Sequence, residues 1–291
     1  MIRLNVPEKW MKRILLIFVI CVLITQSAKA QPPGPDKLGI VSYTYRNSFA
    51  MNFEATMDTI QALGFNNIEF SNLFKQAPEF IKASLDKRKM YCTSYGVSAD
   101  DVMNKTDEVG RVAKILGAEY VRLGWLPLKS PLTVEDAEKL AKSFDSVGKI
   151  LKTKYGLTFV YHNHGYEFSK WKDGTLYDLI VQKTNPEYVS LELDIFWAHI
   201  ADGDPAGLLK KYPYRFRLMH VKDLKKGTKH DLTGTTDTNN DVALGTGEID
   251  IPTILKAAAR SKIKYYYIED ESANVSQQVP VSIEFIKGKL K

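Results

Sequence analysis

Cysteine is almost missing from this chain. Only Cys21 and Cys92 occur in 291 residues, and Cys21 falls inside an N-terminal apolar run. Once that run is removed a single cysteine is left, which excludes an intrachain disulfide and a cysteine-based zinc cluster. Long hydrophobic stretches are also missing. The strongest, "ILLIFVICVLI" (Ile14 to Ile24), is too short for a comfortable bilayer span. No low-complexity tract, block of like charge or Pro/Gly-rich linker divides the chain. Nor does a glycine-rich loop follow the first strand-like run, where "YTYRNSFAMNF" stands instead. That absence argues against the phosphate cradle of a doubly wound nucleotide-binding sheet.

What is present begins with an export signal. Lys9, Lys12 and Arg13 precede the apolar run, and Ala28 and Ala30 of "SAKA" take the −3 and −1 positions of a signal-peptidase site before Gln31. The expected organisation is a signal peptide over 1–30, a short leader over 31–37 and one domain over 38–291. The expected location is the periplasm or the exterior, without membrane attachment after cleavage. Residues 1–30 carry five Lys/Arg against one Glu, which is +4 of the chain's +6, so the remainder is nearly balanced at +2. A nucleic-acid partner therefore loses its electrostatic support.

Short strand-like runs alternate with helix-like runs along the rest of the chain. The strand candidates are "LGIVSYT", "NNIEF", "YCTSYGVS", "EYVRLGW", "LTFVYHNH", "VSLELDI", "FRLMHVKD" and "KYYYIEDE". Helices are expected to start near Phe53, Ala77, Ala99, Thr133, Thr175, Asp204, Ile251 and Val279. Thr133 with Asp136 resembles a capping box, Gly156 closes the same helix, and Asp204-Pro205 opens another in the favoured order. Repeated β-then-α units of this number predict an α/β fold, a closed (β/α)₈ barrel, whose chemistry gathers where the strands end.

The two-residue period of a strand then assigns sides. In "LTFVYHNH", Phe159 and Tyr161 face the helices, while Val160, His162 and His164 face inward. Glu192 and Asp194 face inward on the next strand, His220 and Lys222 on the one after, and Glu269 and Glu271 on the last. Adjacent strands are about 4.8 Å apart, so His162, Asp194, His220 and Glu269 can converge. Two imidazoles with two carboxylates suit a divalent metal: Mn²⁺, Zn²⁺, Co²⁺ or Fe²⁺. Arg122 and Lys222 are inward cations that can bind substrate oxygens or balance Glu69 and Glu192. Tyr43, Tyr45, Trp125, Phe196 and Trp197 lie at strand ends or in loops, where aromatic faces can stack on a sugar. His199, and His230 in the polar stretch "KKGTKHDLTGTTDTNND", which reads as exposed and mobile, receive no function.

The motifs "YHNHGYEF", "LELDIFWAHIADGDP", "RLMHVKD", "ALGTGEIDIPTIL" and "YYYIEDE" resemble the xylose-isomerase-like TIM barrels of the sugar phosphate isomerase/epimerase superfamily, in particular an exported branch with the "YHNH" strand. The resemblance implies metal ligands at His162, Asp194, His220 and Glu269. The chain departs from the superfamily's keto-sugar epimerases, which have Glu at the position of His162 and His at that of Trp197. The resemblance implies an enzyme that abstracts a proton beside a carbonyl of a non-phosphorylated keto-sugar or 3-keto-glycoside, as isomerase/epimerase or as 1,2-lyase. His164, Glu167 and Lys222 are expected as acid/base or substrate groups, and Tyr43, Arg122, Trp125 and Trp197 as substrate contacts. The expected partner is a small sugar or glycoside. A non-catalytic carbohydrate-binding or partner subunit is the alternative. An abasic-site endonuclease on the same barrel is disfavoured by the small charge and the export signal.

Overall fold

The computed structural model describes residues 35–127, 132–287, 289 and 290. The expected export signal and the first residues of the expected leader lie outside the described residues. Eight parallel strands close into a barrel in chain order: β1 (Leu38–Val41), β2 (Asn67–Phe70), β3 (Tyr91–Val97), β4 (Tyr120–Leu123), β5 (Thr158–His162), β6 (Val189–Asp194), β7 (Phe216–Val221) and β8 (Tyr265–Ile268). β8 pairs with β1 to complete the ring. The principal helices are α1 (Phe53–Ala62), α2 (Pro78–Arg88), α3 (Thr106–Leu116), α4 (Val134–Tyr155), α5 (Leu176–Lys183), α6 (Pro205–Lys211), α7 (Ile251–Ala258) and α8 (Val275–Ile286). The expected (β/α)₈ TIM barrel is therefore the observed fold.

Local chemistry sets the boundaries. Thr133 Oγ1 accepts the Asp136 N–H while the Asp136 carboxylate accepts the Thr133 N–H, so α4 opens on a complete capping box. It ends where Gly156 takes φ +66°, a left-handed conformation that costs glycine little. Thr175 and Asp178 repeat the capping box on α5, and Asp204 caps α6 with Pro205 in its first turn. The last helix starts at Val275, ahead of the expected Val279, because Pro280 sits within it rather than before it.

Strand parity divides the core into two. Phe159, Tyr161, Leu191, Leu193, Met219 and Val221 join the helix residues Phe144, Val147 and Leu151 in the main buried cluster. Val41, Tyr120, Val160, Leu218, Tyr265 and Tyr267 form a separate buried cluster. These are the inward positions that precede the polar strand ends, so the barrel is plugged with apolar side chains below its mouth. Each such burial is worth about 1.5–3 kcal/mol.

The loop after β7 is tied down by one carboxylate. Asp223 Oδ1 accepts the N–H groups of Leu224 and Ile249, and its Oδ2 accepts those of Gly245 and Gly247. A Cβ on Gly247 would lie 2.3 Å from Asp223 Oδ1, so the glycine is there for close approach. This explains why "HVKD" and "GTGEID" occur together.

Gly148 offers a test of packing between α4 and the chain entering β6. A Cβ there would sit 2.2 Å from the Tyr188 carbonyl oxygen. Helix propensity alone favours Ala by about 1 kcal/mol, whereas overpacking costs about 1–3 kcal/mol. A clash with backbone lies at the upper end, so Gly148→Ala is expected to lose ~2 kcal/mol and to lower Tm by roughly 4–8 °C in calorimetry. An unchanged or higher Tm would show that the contact yields freely.

Candidate active site

A cleft of about 1000 Å³ opens at the C-terminal ends of the strands. His162, His164, His220 and Glu269 line it from the strand ends, Tyr43, Trp125 and Trp197 from the turn, loop and short helix that follow β1, β4 and β6, and Gly234, Thr235 and Thr236 from the segment after β7.

Four of the inward carboxylates and both strand-end imidazoles are interlocked beneath it. His220 Nε2 lies 2.8 Å from Glu69 Oε1, and its Nδ1 lies 3.0 Å from Glu269 Oε2 and 3.7 Å from Asp194 Oδ2. His162 Nδ1 lies 3.1 Å from Glu192 Oε2, which leaves Nε2 facing Asp194 Oδ2 at 3.8 Å. Arg122 Nε sits 2.8 Å from Glu69 Oε1 and 3.5 Å from Glu192 Oε2; it is an ion pair off hydrogen-bond geometry. One ligand atom each from Asp194, His220 and Glu269 falls within 4.8 Å of the others. His162 meets this group at Asp194, and it also converges with Glu192 and His220. The expected four-residue set is thus assembled as a tight triad with His162 at its side.

Asp194 is the telling member. Its Oδ1 accepts the Trp197 N–H at 2.9 Å and caps the short helix Ile195–Ile200, while its Oδ2 is wholly buried without a hydrogen-bond partner among the described residues. Helix capping therefore explains one oxygen and not the other. A divalent ion with bonds of about 2.0–2.2 Å needs tetrahedral donors roughly 3.3 Å apart. The spacings of 3.0, 3.7 and 3.8 Å at this point bracket that value. The residues present fit a metal. Each imidazole also has its second nitrogen on a carboxyl group, the arrangement that orients metal-binding histidines.

Charge follows from the same contacts. Burial raises carboxyl pKa values, but the Arg122 and His220 charges overcome it at Glu69 and hold that group ionised. Burial and the neighbouring Glu69 charge push Glu192 well above the usual range. Burial lowers His220, yet Glu192, Glu269 and Glu69 together raise it well above an ordinary histidine. Burial, then the His220 charge, drives His162 well below, leaving a neutral imidazole able to ligate.

His164 lines the cleft and is 8% exposed. It stacks on Tyr166 with 5.6 Å between ring centroids, and its ring edge is closed by Trp125 and Trp197 at 5.1 and 5.4 Å. Its Nδ1 is buried with no partner among the described residues. Burial, and next the Lys222 charge, lowers it to about 3, so it is neutral at any working pH.

Two expectations need correction. Glu167 does not line the cleft. It is completely buried, with its carboxylate turned back to accept the His164 N–H at 3.0 and 3.1 Å and the Tyr161 hydroxyl. The short 3₁₀ turn Tyr166–Phe168 folds it under the strand end, so it acts on His164 and not on a ligand. Lys222 is also completely buried and away from the cleft lining. Its Nζ is taken by Glu271, Glu269 and Asp241 at 2.6, 3.3 and 3.7 Å and lies over Phe196 and Trp197. Burial lowers its pKa, but those carboxylates raise it well above a free lysine, so it stays a cation that steadies Glu269. Tyr43, Arg122, Trp125 and Trp197 all line the cleft as expected, with Tyr43 and Trp125 more than a third exposed. Glu271 lines it too; strand parity pairs it with Glu269 but carries no hint that it reaches the cleft. Gly234 to Thr236 had no signal at all, since a polar loop shows no periodicity.

Comparison with known proteins places this geometry. The family model described as xylose isomerase-like TIM barrel matches residues 57–289. "Inosose dehydratase 2" of Bacillus cereus is 27% identical over 217 residues, covering 65% of this chain and 72% of the relative. A sugar phosphate isomerase/epimerase from Parabacteroides distasonis ATCC 8503 superposes with a TM-score of 0.72 at 22% identity, covering 92% of this chain and 99% of that one. The IolI protein, solved with a binding zinc atom, superposes with a TM-score of 0.69 at 14% identity, covering 88% and 98%. At these identities the solved structures speak for the fold, and the zinc is a property of IolI.

Glu167 generates a prediction in pH. Burial, only partly offset by the Tyr161 hydroxyl and the His164 N–H, raises its carboxyl from 4.5 to about 7. Between those values the folded protein keeps a proton that the unfolded chain has released, so this group's contribution to stability falls as pH rises through the window. Gln cannot titrate. From pH 4.5 to 8 the stability of Glu167→Gln relative to wild type is expected to improve by ~3 kcal/mol, at about 1.36 kcal/mol per pH unit. Urea midpoints at both pH values measure it, and parallel curves would refute it.

Proposed function

The chain belongs to the xylose isomerase-like TIM barrel family, and from that premise we propose that it is an exported, divalent-metal-dependent lyase acting on a non-phosphorylated keto-sugar or 3-keto-glycoside. It removes the proton beside the carbonyl and expels the oxygen substituent on the next carbon. The observation that carries this reading is the partnerless Asp194 Oδ2 facing His220 Nδ1 with Glu269 on the same nitrogen. Asp194, His220 and Glu269 would hold the ion, with His162 beside them. A metal so bound supplies Lewis-acid polarisation of the substrate carbonyl, which acidifies the neighbouring C–H.

The chain's own residues do the rest. Trp125, Trp197 and Tyr43 present aromatic faces to the C–H faces of a sugar ring. Arg122 reaches the lining from the Glu69–Glu192 pair and can meet a hydroxyl or carbonyl oxygen. His164, whose ring lines the cleft and carries no carboxylate, accepts the C–H proton, and the imidazolium so formed returns it to the departing oxygen. Glu167 and Tyr166 hold the ring in place, the first through the backbone N–H and the second by stacking. The lining offers Asp100, Asp101, Glu269 and Glu271 against Lys75 and Arg122, a poor balance for a phosphate dianion. Elimination is favoured over epimerisation by the inosose dehydratases among the relatives, since a dehydratase expels water. Trp197 at the position where keto-sugar epimerases have His supports the same choice.

The protein reloaded with Mn²⁺, Zn²⁺, Co²⁺ or Fe²⁺ is expected to release aglycone from a p-nitrophenyl 3-keto-glucoside, or water from an inosose, with deuterium exchange at the carbon beside the ketone. Exchange without release would turn the reading to epimerisation, and neither event would sink it. Two variants separate the roles. His220→Ala is expected to lose bound metal and about 10³-fold or more in kcat/KM, since a ligand and its metal go together. His164→Gln should keep the metal by elemental analysis yet lose about 10²–10⁴-fold in kcat. Full activity in His164→Gln would move the base elsewhere.

A further inference from the structure

A second convergence of metal-binding side chains lies outside the cleft lining, at residues the sequence left without a function. His199 projects from the short helix Ile195–Ile200, His230 comes from the polar segment after β7, and Glu248 from "GTGEID". One ligand atom from each lies within 4.8 Å of the other two. Glu248 Oε1 is 3.1 Å from His230 Nε2 and 3.4 Å from His199 Nε2, close to the roughly 3.3 Å between donors on a tetrahedral ion. The supporting contacts are in place. Asp202 Oδ1 holds His230 Nδ1 at 2.7 Å, which turns Nε2 onto Glu248 Oε1, and Gly227 N–H holds the other Glu248 oxygen at 2.9 Å. Asp202 makes this contact from a left-handed turn with φ +57°. All three ligand side chains are about a quarter exposed, so an ion can enter and a water can complete its shell. No residue is shared with the barrel-mouth set.

We infer that His199, His230 and Glu248 form a second site for a borderline divalent ion of the Zn²⁺, Co²⁺ or Ni²⁺ class, one that staples the segment after β7 to the body of the barrel. Two imidazoles with one carboxylate favour those ions over Mg²⁺ and Ca²⁺. The staple matters because the same segment reaches the cleft. Asp231 N–H bonds the Ile200 carbonyl, and Gly234 to Thr236 line the cleft beside His164. The stretch is largely exposed, as expected, and it carries a side-chain anchor of its own.

Metal content tests this directly. The purified protein, stripped with chelator and resaturated with Zn²⁺, is expected to carry two zinc ions per chain. His230→Ala and His220→Ala should each carry one, and the double variant none. With Co²⁺, His220→Ala should keep a visible d–d band that disappears when His230→Ala is added. Trypsin cuts after Lys225, Lys226 and Lys229 report the staple: free Zn²⁺ at ten times its Kd should slow them about tenfold in wild type and His220→Ala but not in His230→Ala. His199→Gln, checked by circular dichroism, is the second variant should His230→Ala misfold. Zinc content in His230→Ala and His199→Gln equal to wild type, or none in His220→Ala, would overturn the site. Loss of the barrel-mouth ion alone, with the second retained, would leave this inference standing and strike only the lyase reading.

Discussion

Glu69, Glu192, Asp194 and Glu269 all end inside the mouth of the barrel, at most 9% exposed. An ionised carboxylate in such a place costs several kcal/mol unless its charge is met. Arg122 meets Glu69 and lies 3.5 Å from Glu192, Lys222 meets Glu269 from the neighbouring strand, and burial beside Glu69 pushes the Glu192 carboxyl well above its usual range. Two imidazoles fill the gaps. After all this Asp194 still has one oxygen without a partner. That unpartnered buried oxygen is the constraint to which the proposed metal site answers, with His162 and His220 turned toward it.

The depth of the network separates its jobs. Glu192 lies one inward position below Asp194 on β6, while Glu69 and Arg122 reach in from β2 and β4; Glu192 takes one nitrogen of His162, and Glu69 one nitrogen of His220. Lys222 stands level with Glu269 on the neighbouring strand, and a cation this firmly paired neither gives nor takes a proton near neutral pH. His164 is the opposite case. It has aromatic rings about it and no carboxylate on its side chain, so it stays neutral and unengaged. Ligand, support and base thus differ in what surrounds them more than in what they are.

Much of this was legible in the strands. Alternation placed His162, Asp194, His220 and Glu269 on one side because a strand's period admits only two choices, and capping pairs such as Thr133 with Asp136 marked where helices begin. Parity does not say how far a side chain reaches. Lys222 has the right parity and is captured by Glu271 before it arrives. Glu167 lies past the strand, where a turn reverses it, and no period describes a turn. The polar stretch around His230 looked like exposed loop because its composition is that of one. Its order comes from long-range contacts with Asp202 and Glu248, which leave no pattern in neighbouring residues.

The segment after β7 joins these themes. At its start Asp223 gathers backbone N–H groups from Gly245, Gly247 and Ile249, closing the loop on itself. Near its middle Gly234 takes φ +69°, and a Cβ there would lie 2.8 Å from the Tyr166 ring, the surface on which His164 stacks. The wall of the cleft is therefore in contact with the platform of the candidate base. A side chain at Gly234 would have to displace Tyr166, and with it the ring on which His164 stacks. The cleft wall and the platform under His164 are thus coupled through that one close approach, which the loop and not the barrel strands supplies.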